Sequence, residues 1–404
     1  MAKAPISAIW NRLENSVRLA RAKHLHKTVR FKVGDLKRFY RSLNEAGISY
    51  VVLRWADEVP MAPTGPDAFE HDIDHLIDRG CIDEIKTIAS RLPGPAKCDF
   101  YSLSGERGSA YRKFPYLPPA LAQQVLENRV VDPRVFYIPA PKDMLFAFAF
   151  HLVYHKGQRS GLPSGIDDIS TAPNAEREYQ SELVRLAKLA NVTLPDPLTL
   201  QSVHDLLREN EWNMPLDLMA RWPDQQPILR ALAAVETQRL SKLADQSHDI
   251  NVFVLRSDIS MQDSQMLVRK MIRDRFTILD DAPLSSAQVT RLARLTRGGN
   301  WYEKGRKEPV LPTQVIVCRN NKVPGPLPKG MSPEKVAARY PHLSSTDVLI
   351  KRDIRDAVNQ LEGGPATRVI LHATDNASEA AETLEALKGD QAVTYLEQLK
   401  ASGR

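Results

Sequence analysis

The chain has few cysteines and no long apolar run, and each absence argues against a class of protein. Its three cysteines, Cys81, Cys98 and Cys318, are well separated and have no metal-type spacing. They predict reduced thiols in a cytoplasmic protein rather than a disulfide-stabilised secreted one. The apolar run at residues 146–154 is too short to span a bilayer. We therefore expect no membrane partner.

Signals for secretion and for two large nucleotide-binding classes are also missing. Charged residues at Arg12, Glu14, Arg18 and Arg21 interrupt the apolar core that a secretory signal needs. The sequence has no G-x-x-x-x-G-K-S/T loop and no G-x-G-x-x-G fingerprint. These absences argue against P-loop nucleotide hydrolases and dinucleotide-binding domains.

What is present is the composition of an ordinary globular protein, with 43% hydrophobic and 26% charged residues. A chain of 404 residues exceeds what one hydrophobic core usually organises, which predicts more than one domain. We predict a basic N-terminal helix over 1–32, a first domain over 33–175, a helical connector over 176–248 and a second domain over 249–404.

The net charge is only +6, but basic residues cluster between Arg18 and Lys32. A cluster of this kind is typical of a nucleic-acid or anionic-surface contact. It is equally typical of the solvated face of a helix, and we favour that second interpretation.

The C-terminal third alternates between strand-like and helix-like patterns. Strands are predicted at 251–256, 276–280, 313–318 and 367–372, and helices at 262–275, 285–296, 333–340, 351–358 and 377–388. Such alternation predicts an α/β sandwich of the split-βαβ kind, within an α/β (α+β) chain.

Three segments of this region resemble the nucleoside diphosphate kinases, over about 251–390. They are ValPheValLeuArgSerAsp at 252–258, PheThrIleLeu at 276–279 and ArgValIleLeuHisAlaThrAsp at 368–375. The resemblance implies a ferredoxin-like domain in which His372 attacks the terminal phosphate of a nucleoside triphosphate. The phosphohistidine then passes its phosphoryl group to a diphosphate. A histidine is neutral for much of its population at physiological pH, so a ring nitrogen is available as the nucleophile.

Phosphoryl transfer also needs positive charge around the moving oxygens. The cations that we expect to supply it are Arg256, Arg339, Lys351, Arg352 and Arg368, and Trp301 or Tyr302 would stack on a base. Arg256 stands where the family has a lysine, and Val369 where it has an asparagine. The family's orienting glutamate falls one residue beyond Glu382.

Near the N-terminus, HisAspIleAsp at 71–74 places Asp72 and Asp74 two residues apart on a predicted strand. A period of two directs both carboxylates to the same face, where a cation such as Mg²⁺ would compensate them. Asp99, on the next predicted strand, would complete a two-metal site for in-line attack on a triphosphate.

This arrangement resembles the nucleotidyltransferase superfamily, over about 35–170. The resemblance includes the helical segment at 140–157 and implies a mixed sheet with helices. Asp72 and Asp74 would hold the metal, and Asp99 would activate the acceptor hydroxyl. Where the family has a glycine pair after the first strand, this chain has LeuArgTrp at 53–55, so Arg54 would grip the phosphate instead. His151 and His155 lie one helical turn apart without a third ligand, and we expect them to line the core or the substrate.

These patterns together predict a nucleotide-dependent transferase with Mg²⁺ as cofactor and nucleoside di- and triphosphates as ligands. The acceptor stays open among protein, RNA and sugar phosphate, and so does homo-oligomerisation. One alternative is a nucleotide-binding regulatory protein with degenerate sites. Another is an RNA-binding protein that works through the basic N-terminal helix.

Overall fold

The structure, a computed structural model, describes residues 6–61, 71–167, 169–170, 177–259, 261–303, 306, 308–320, 324–327 and 330–402. It divides the chain into two compact units. The first consists of Met1–Met214 and Leu218–Leu232, and the second of Pro215–Asp217 and Ala233–Arg404. Helices and mixed or antiparallel sheets occur in both, which confirms the predicted α/β (α+β) class.

The first unit is built on a four-stranded mixed sheet. Its strands are β1 (Val29–Val33), β2 (Tyr50–Val52), β3 (Ile73–Ile77) and β4 (Ala96–Ser102), in the order β1-β4-β3-β2. Only β3 and β4 run parallel, and the other two pairs are antiparallel. A small hairpin pairs β5 (Val130–Val131) with β6 (Tyr137–Ile138).

The helices of this part of the chain precede, separate and follow the strands. They are α1 (Ile6–Leu25), α2 (Leu36–Glu45), α3 (Ile82–Ala89), α4 (Pro119–Glu127), α5 (Pro141–Phe150), α6 (Tyr179–Ala190) and α7 (Leu200–Glu209). Two further helices, α8 (Leu216–Met219) and α9 (Pro227–Gln246), have residues in both units. A π-helical turn, His151–Lys156, continues α5 where the sequence predicts one regular helix.

The predicted helix over 1–32 is wrong in its last part, because residues 29–33 form β1 at the edge of the sheet. Val29, Phe31 and Val33 are buried and alternate with Arg30 and Lys32, which are exposed. This period of two is the pattern of a half-buried strand. The basic residues Arg30 and Lys32, predicted on the preceding helix, therefore belong to this strand.

The two faces of this sheet have different characters. One face packs on α2 and α3 through a core that includes Phe31, Phe39, Phe100 and Ile77. The other face carries Arg30, Asp74 and Asp99, which alternate with those core residues along their strands. Polar groups of three strands therefore share one side of the sheet.

The second unit is built on an antiparallel sheet of four strands. They are β7 (Ile250–Arg256), β8 (Phe276–Pro283), β9 (Pro312–Asn320) and β10 (Leu371–Ala373), in the order β10-β7-β9-β8. Its helices are α10 (Gln262–Arg273), α11 (Ser286–Leu295), α12 (Pro333–Arg339), α13 (Ile350–Leu361), α14 (Ala377–Lys388) and α15 (Ala392–Ser402). The strands β7 and β8 run parallel to each other with the antiparallel β9 between them. In the same way, β9 and β10 run parallel with β7 between them, which is the split-βαβ arrangement.

Both faces of this second sheet are covered, and the alternation along β7 shows it. Val252 and Val254 pack against the side where α11, α14 and α15 contribute leucines and alanines. Phe253 and Leu255 pack against the side where α10 and α13 contribute isoleucines and valines. Among the described residues, no helix has the length and apolar character needed to cross a membrane.

Three buried histidines of the first unit predict that the protein loses stability in mild acid. Burial lowers the pKa of His75 to about 4 and that of His155 to about 3, and it lowers the pKa of His151 well below its usual value. The unfolded chain takes up these protons near pH 6.5 and the folded chain does not. The free energy of unfolding should therefore fall by about 1.4 kcal/mol per histidine for each pH unit below about 6.5.

Urea unfolding at pH 7.5 and at pH 5.5 measures this slope. In the variant His75→Gln, this slope should be smaller by the contribution of one histidine, because the amide takes up no proton. The matched control is His24→Gln, at an exposed position of α1, which should leave the slope unchanged. Equal slopes in all three proteins would contradict the prediction.

Candidate functional site

A cavity of about 220 Å³ in the second unit contains His372. His372 lies on the short edge strand β10, directly opposite Val254 of β7. The backbone beyond it is held in place, because Thr374 Oγ1 accepts a hydrogen bond from the Val252 amide at 2.9 Å. The cavity is lined by Asp217, Val252, Val254, Thr296, Arg297, Trp301, Lys351, His372, Ala373, Thr374, Asp375, Glu379, Glu382 and Thr383.

The imidazole of His372 is surrounded by cations rather than by apolar groups alone. Its pKa lies well below the usual value because of burial, and then because of Arg297, Arg355, Arg256 and Lys351. Its Nε2 atom is buried and has no hydrogen-bond partner among the described residues. The ring meets Trp301 edge-on, with the ring centroids 5.6 Å apart. The neutral imidazole is therefore the stable form in this environment.

Arg297 is a buried cation of the cavity lining. Its backbone has φ +55°, in the left-handed region that side chains rarely adopt. Its guanidinium stacks over Trp301 at 5.0 Å from the ring centroid. Its Nη1 atom is buried without a hydrogen-bond partner among the described residues. Burial, followed by Arg256 and Arg355, lowers its pKa to about 9.

Acidic groups line the same cavity, and one of them is protonated at neutral pH. Burial, followed by Asp217 and Glu379, raises the pKa of Glu382 to about 8. Burial also raises the pKa of Glu379. Lys351 forms an ion pair with Asp375. A protonated Glu382 donates a hydrogen bond instead of repelling an anion.

The structure brings only some of the predicted residues of this half together. Lys351 and Trp301 line the cavity with His372, although Trp301 is only 2% exposed and offers no open face to a base. Arg256 is buried, where it donates to the carbonyls of Val310 and Trp301 and pairs with Glu303. Among the described residues, the cavity lining does not include Tyr302, Arg339, Arg352 or Arg368.

Sequence reasoning missed three charged groups, of which Arg297 and Arg355 act on His372 and Asp217 lines the cavity. Arg297 follows α11 in a glycine-containing turn, and Asp217 is distant in sequence. Arg355 lies on α13 and donates to the Leu371 carbonyl. None of the three belongs to a motif, although the Arg297-Gly-Gly run could have marked a left-handed turn.

In the first unit, the structure does bring Asp72, Asp74 and Asp99 together, but it gives each an arginine partner. Asp74 and Asp99 are neighbours on the parallel strands β3 and β4, and Asp99 lies opposite Arg30 of β1. Arg30 binds Asp99 with two hydrogen bonds, at 2.8 and 2.7 Å, and also pairs with Asp72. Arg54 pairs with Asp74 at 2.6 Å.

Oxygen ligands of this kind suit Mg²⁺, but the arrangement does not fit the ion as it stands. The guanidinium groups of Arg30 and Arg54 already engage both oxygens of Asp99 and one oxygen each of Asp72 and Asp74. Burial raises the pKa of Asp74 although Arg54 acts in the opposite direction. The predicted phosphate grip of Arg54 is likewise directed at a carboxylate in this structure.

Arg54 connects this cluster to a buried layer of aromatic and histidine rings. It donates to Tyr116 and lies 3.2 Å from His151 Nδ1, and Tyr116 Oη is 2.6 Å from the same nitrogen. His155 stacks on Tyr116 with 4.1 Å between centroids. His151 and His155 are buried, in agreement with their predicted place in the core.

No protein-family model, no curated protein and no solved structure matches this chain. The two family resemblances therefore remain predictions, and the geometry of each cluster carries the functional argument.

The buried pair of Arg54 and Asp74 predicts a large loss of stability when one partner is removed. Arg54→Met leaves the Asp74 carboxylate buried without its partner, which should cost about 3–5 kcal/mol of unfolding free energy. The double variant Arg54→Met/Asp74→Leu should recover most of that loss because no charge remains buried. Urea unfolding of the full chain measures both values.

The control is Lys23→Met, which removes a more exposed ion pair to Asp83 in the same unit and should cost less than about 1 kcal/mol. If Arg54→Met lowers the free energy of unfolding by no more than this control does, the Asp74 carboxylate does not need Arg54 for its stability. The cluster would then be free to take a metal ion.

Proposed function

We propose that the second unit binds the phosphates of a nucleoside di- or triphosphate and transfers a phosphoryl group through His372. The protein would thus be a nucleotide-dependent transferase. The observation that carries this proposal is a neutral imidazole at a cavity that also holds an unpaired arginine nitrogen and a lysine.

The charge around His372 suits a nucleophile for phosphate. A neutral ring nitrogen keeps its lone pair, whereas a protonated ring has none to offer. Arg297 and Lys351 place positive charge on the cavity wall, where it would stabilise the oxygens of the moving phosphoryl group. Thr296 and Thr383 add hydroxyl groups to the same wall.

The size of the cavity indicates which part of the ligand enters. About 220 Å³ is below the roughly 300–1,000 Å³ of sites that enclose a whole small molecule. Phosphate groups fit this volume and a complete nucleotide does not. The base would lie outside, which agrees with the burial of Trp301.

The transfer is a displacement at the terminal phosphorus. A ring nitrogen of His372 attacks the γ-phosphorus, the bond to the β–γ bridging oxygen breaks, and the nucleoside diphosphate leaves with that oxygen. The phosphohistidine then reacts with the terminal oxygen of an acceptor, which restores the neutral imidazole. Arg297 and Lys351 bind and orient the phosphates in both steps.

A second candidate, a nucleotide-binding regulatory protein, is favoured by the arginine pairs of the first unit. Arg30 and Arg54 neutralise the carboxylates that a nucleotidyltransferase would keep for Mg²⁺. Nucleotidyl transfer on Asp72, Asp74 and Asp99 remains a prediction that requires both guanidinium groups to move away.

Labelling with γ-labelled ATP tests the phosphoryl transfer. The full chain should acquire acid-labile, alkali-stable label, and His372→Gln should abolish it because no other residue carries the nucleophile. Arg297→Gln should slow labelling by about 10²-fold, the usual cost of a lost donor to a developing charge.

The matched control is Lys335→Gln, an exposed cation of the same unit outside the cavity lining, which should label at the normal rate. Thermal unfolding of each variant shows that it folds. Nucleotide binding without label on any histidine would support the regulatory function and reject phosphoryl transfer.

The pH profile of labelling follows from two altered pKa values. The depressed pKa of His372 keeps the ring neutral, so the rate should not fall as the pH decreases from 7.5 to about 6. Glu382, with its pKa of about 8, ionises above that pH and repels phosphate, so the rate should decline above about pH 8.

Glu382→Gln keeps the neutral form and should move the start of the alkaline decline from about pH 8 to about pH 9, where Arg297 loses its charge. Glu397→Gln, on the exposed side of α15, should leave the start of the decline unchanged. A decline that is identical in both variants would show that Glu382 does not control the cavity.

A further inference from the structure

A basic cleft of about 440 Å³ lies in the first unit, at residues of α1, β1 and β4. We use the name basic cleft for the site lined by the side chains of Arg18, Arg21, Lys27, Arg30, Lys32 and Lys97. Its remaining lining is one threonine, one alanine and one valine. The chain thus concentrates six cations around a concave surface although its net charge is only +6.

Most of this positive charge is not neutralised by the protein. Arg18 pairs with Glu14, and Arg30 pairs with Asp72 and Asp99. The other four cations, Arg21, Lys27, Lys32 and Lys97, form no ion pair with the described part of the chain. The cleft therefore keeps a strong positive potential that attracts anions.

The lining of the cleft contains a like-charge pair on two neighbouring strands, with Asp72 near Lys97. Lys32 of β1 lies directly opposite Lys97 of β4 on the same face of the sheet. Like charges at opposed positions of neighbouring strands destabilise the sheet. Lys97 is also half-buried, which adds a desolvation cost. An anion bound between the two ammonium groups would offset both costs.

We propose that the basic cleft binds the sugar–phosphate backbone of a single-stranded nucleic acid. Six cations exceed what one phosphate group needs, and successive phosphodiesters would present charge along the whole cleft. None of the described lining side chains is aromatic, so bases have no platform on which to stack. Recognition is consequently of the backbone and is independent of base sequence.

The lining argues against one other anion. A free nucleoside triphosphate would gain no contact for its base.

The basic cleft adjoins the carboxylate cluster, because Arg30 belongs to both. A bound strand would therefore lie beside Asp72 and Asp99. This site is independent of the transfer proposed at His372.

Fluorescence anisotropy of a labelled oligouridine of about 20 nucleotides with the full chain tests this site. Four unpaired cations predict a salt dependence, log Kd against log salt, with a slope of about 3 between about 50 and 200 mM salt. The double variant Lys32→Gln/Lys97→Gln should lower the slope by about 1.4 and weaken binding by at least about tenfold. An oligoadenylate should bind equally well, because no base is recognised.

The matched control is Lys37→Gln/Arg41→Gln, which removes two exposed cations of α2 outside the cleft lining and should change neither value. Because the Lys32/Lys97 variant removes a repulsion, it should unfold at the same or a higher temperature. Absence of binding at low salt, or an equal loss in both double variants, would overturn the proposal. Displacement of the strand by ATP at equal phosphate concentration would also overturn it, in favour of a free nucleotide. Preferential binding of anionic vesicles would overturn it in favour of a membrane surface.

Discussion

Desolvation of ionisable groups against a β-sheet governs the chemistry of both units. A charge that leaves water must be neutralised, paired or titrated, because the interior cannot solvate it. The first unit uses pairing, since Arg54 and Arg30 meet the carboxylates of Asp74 and Asp99. The second unit uses titration, since burial and neighbouring charge keep His372 and Glu382 neutral. The cost of burying a charged group is thus met by ion pairing in the first unit and by a shifted pKa in the second.

The difference between the two solutions decides which cluster is ready for a ligand. A bidentate arginine–carboxylate pair satisfies both partners and leaves little electrostatic demand for a third group. An arginine nitrogen without a hydrogen-bond acceptor, as at Arg297, leaves a demand that an anion satisfies. Under the proposed function, phosphate oxygens would meet this nitrogen in the cavity around His372, whereas a metal ion at Asp74 would have to displace an arginine that is already bound.

Sequence patterns predicted well those features that follow from local periodicity. The period of two brought Asp72, just before β3, and Asp74 within reach of Asp99, and three strands of the second unit lie where they were predicted. The fourth was predicted at 367–372 but forms only at Leu371–Ala373, and α15 was not predicted. The side chains that pair with these residues could not be predicted from local periodicity. Arg30 is opposite Asp99 only because residues 29–33 pair with β4, and that pairing joins positions far apart in the chain. Arg297 reaches Trp301 from a left-handed turn that has no sequence motif beyond its glycines.

The two proposed ligand sites have one feature in common, which is that each contains cations close to one another. Folding selects against it, because each opposed pair of equal charges reduces a margin of stability of only about 5–15 kcal/mol. Yet Lys32 faces Lys97 across two strands, and burial, followed by Arg256 and Arg355, lowers the pKa of Arg297 although Asp217 and Glu303 act in the opposite direction. Both arrangements become favourable when an anion neutralises the cations, since binding to the folded chain alone stabilises it. Under both proposals, a repulsion that the fold tolerates in its free form would be relieved by a phosphate-bearing ligand and would add to the affinity for it.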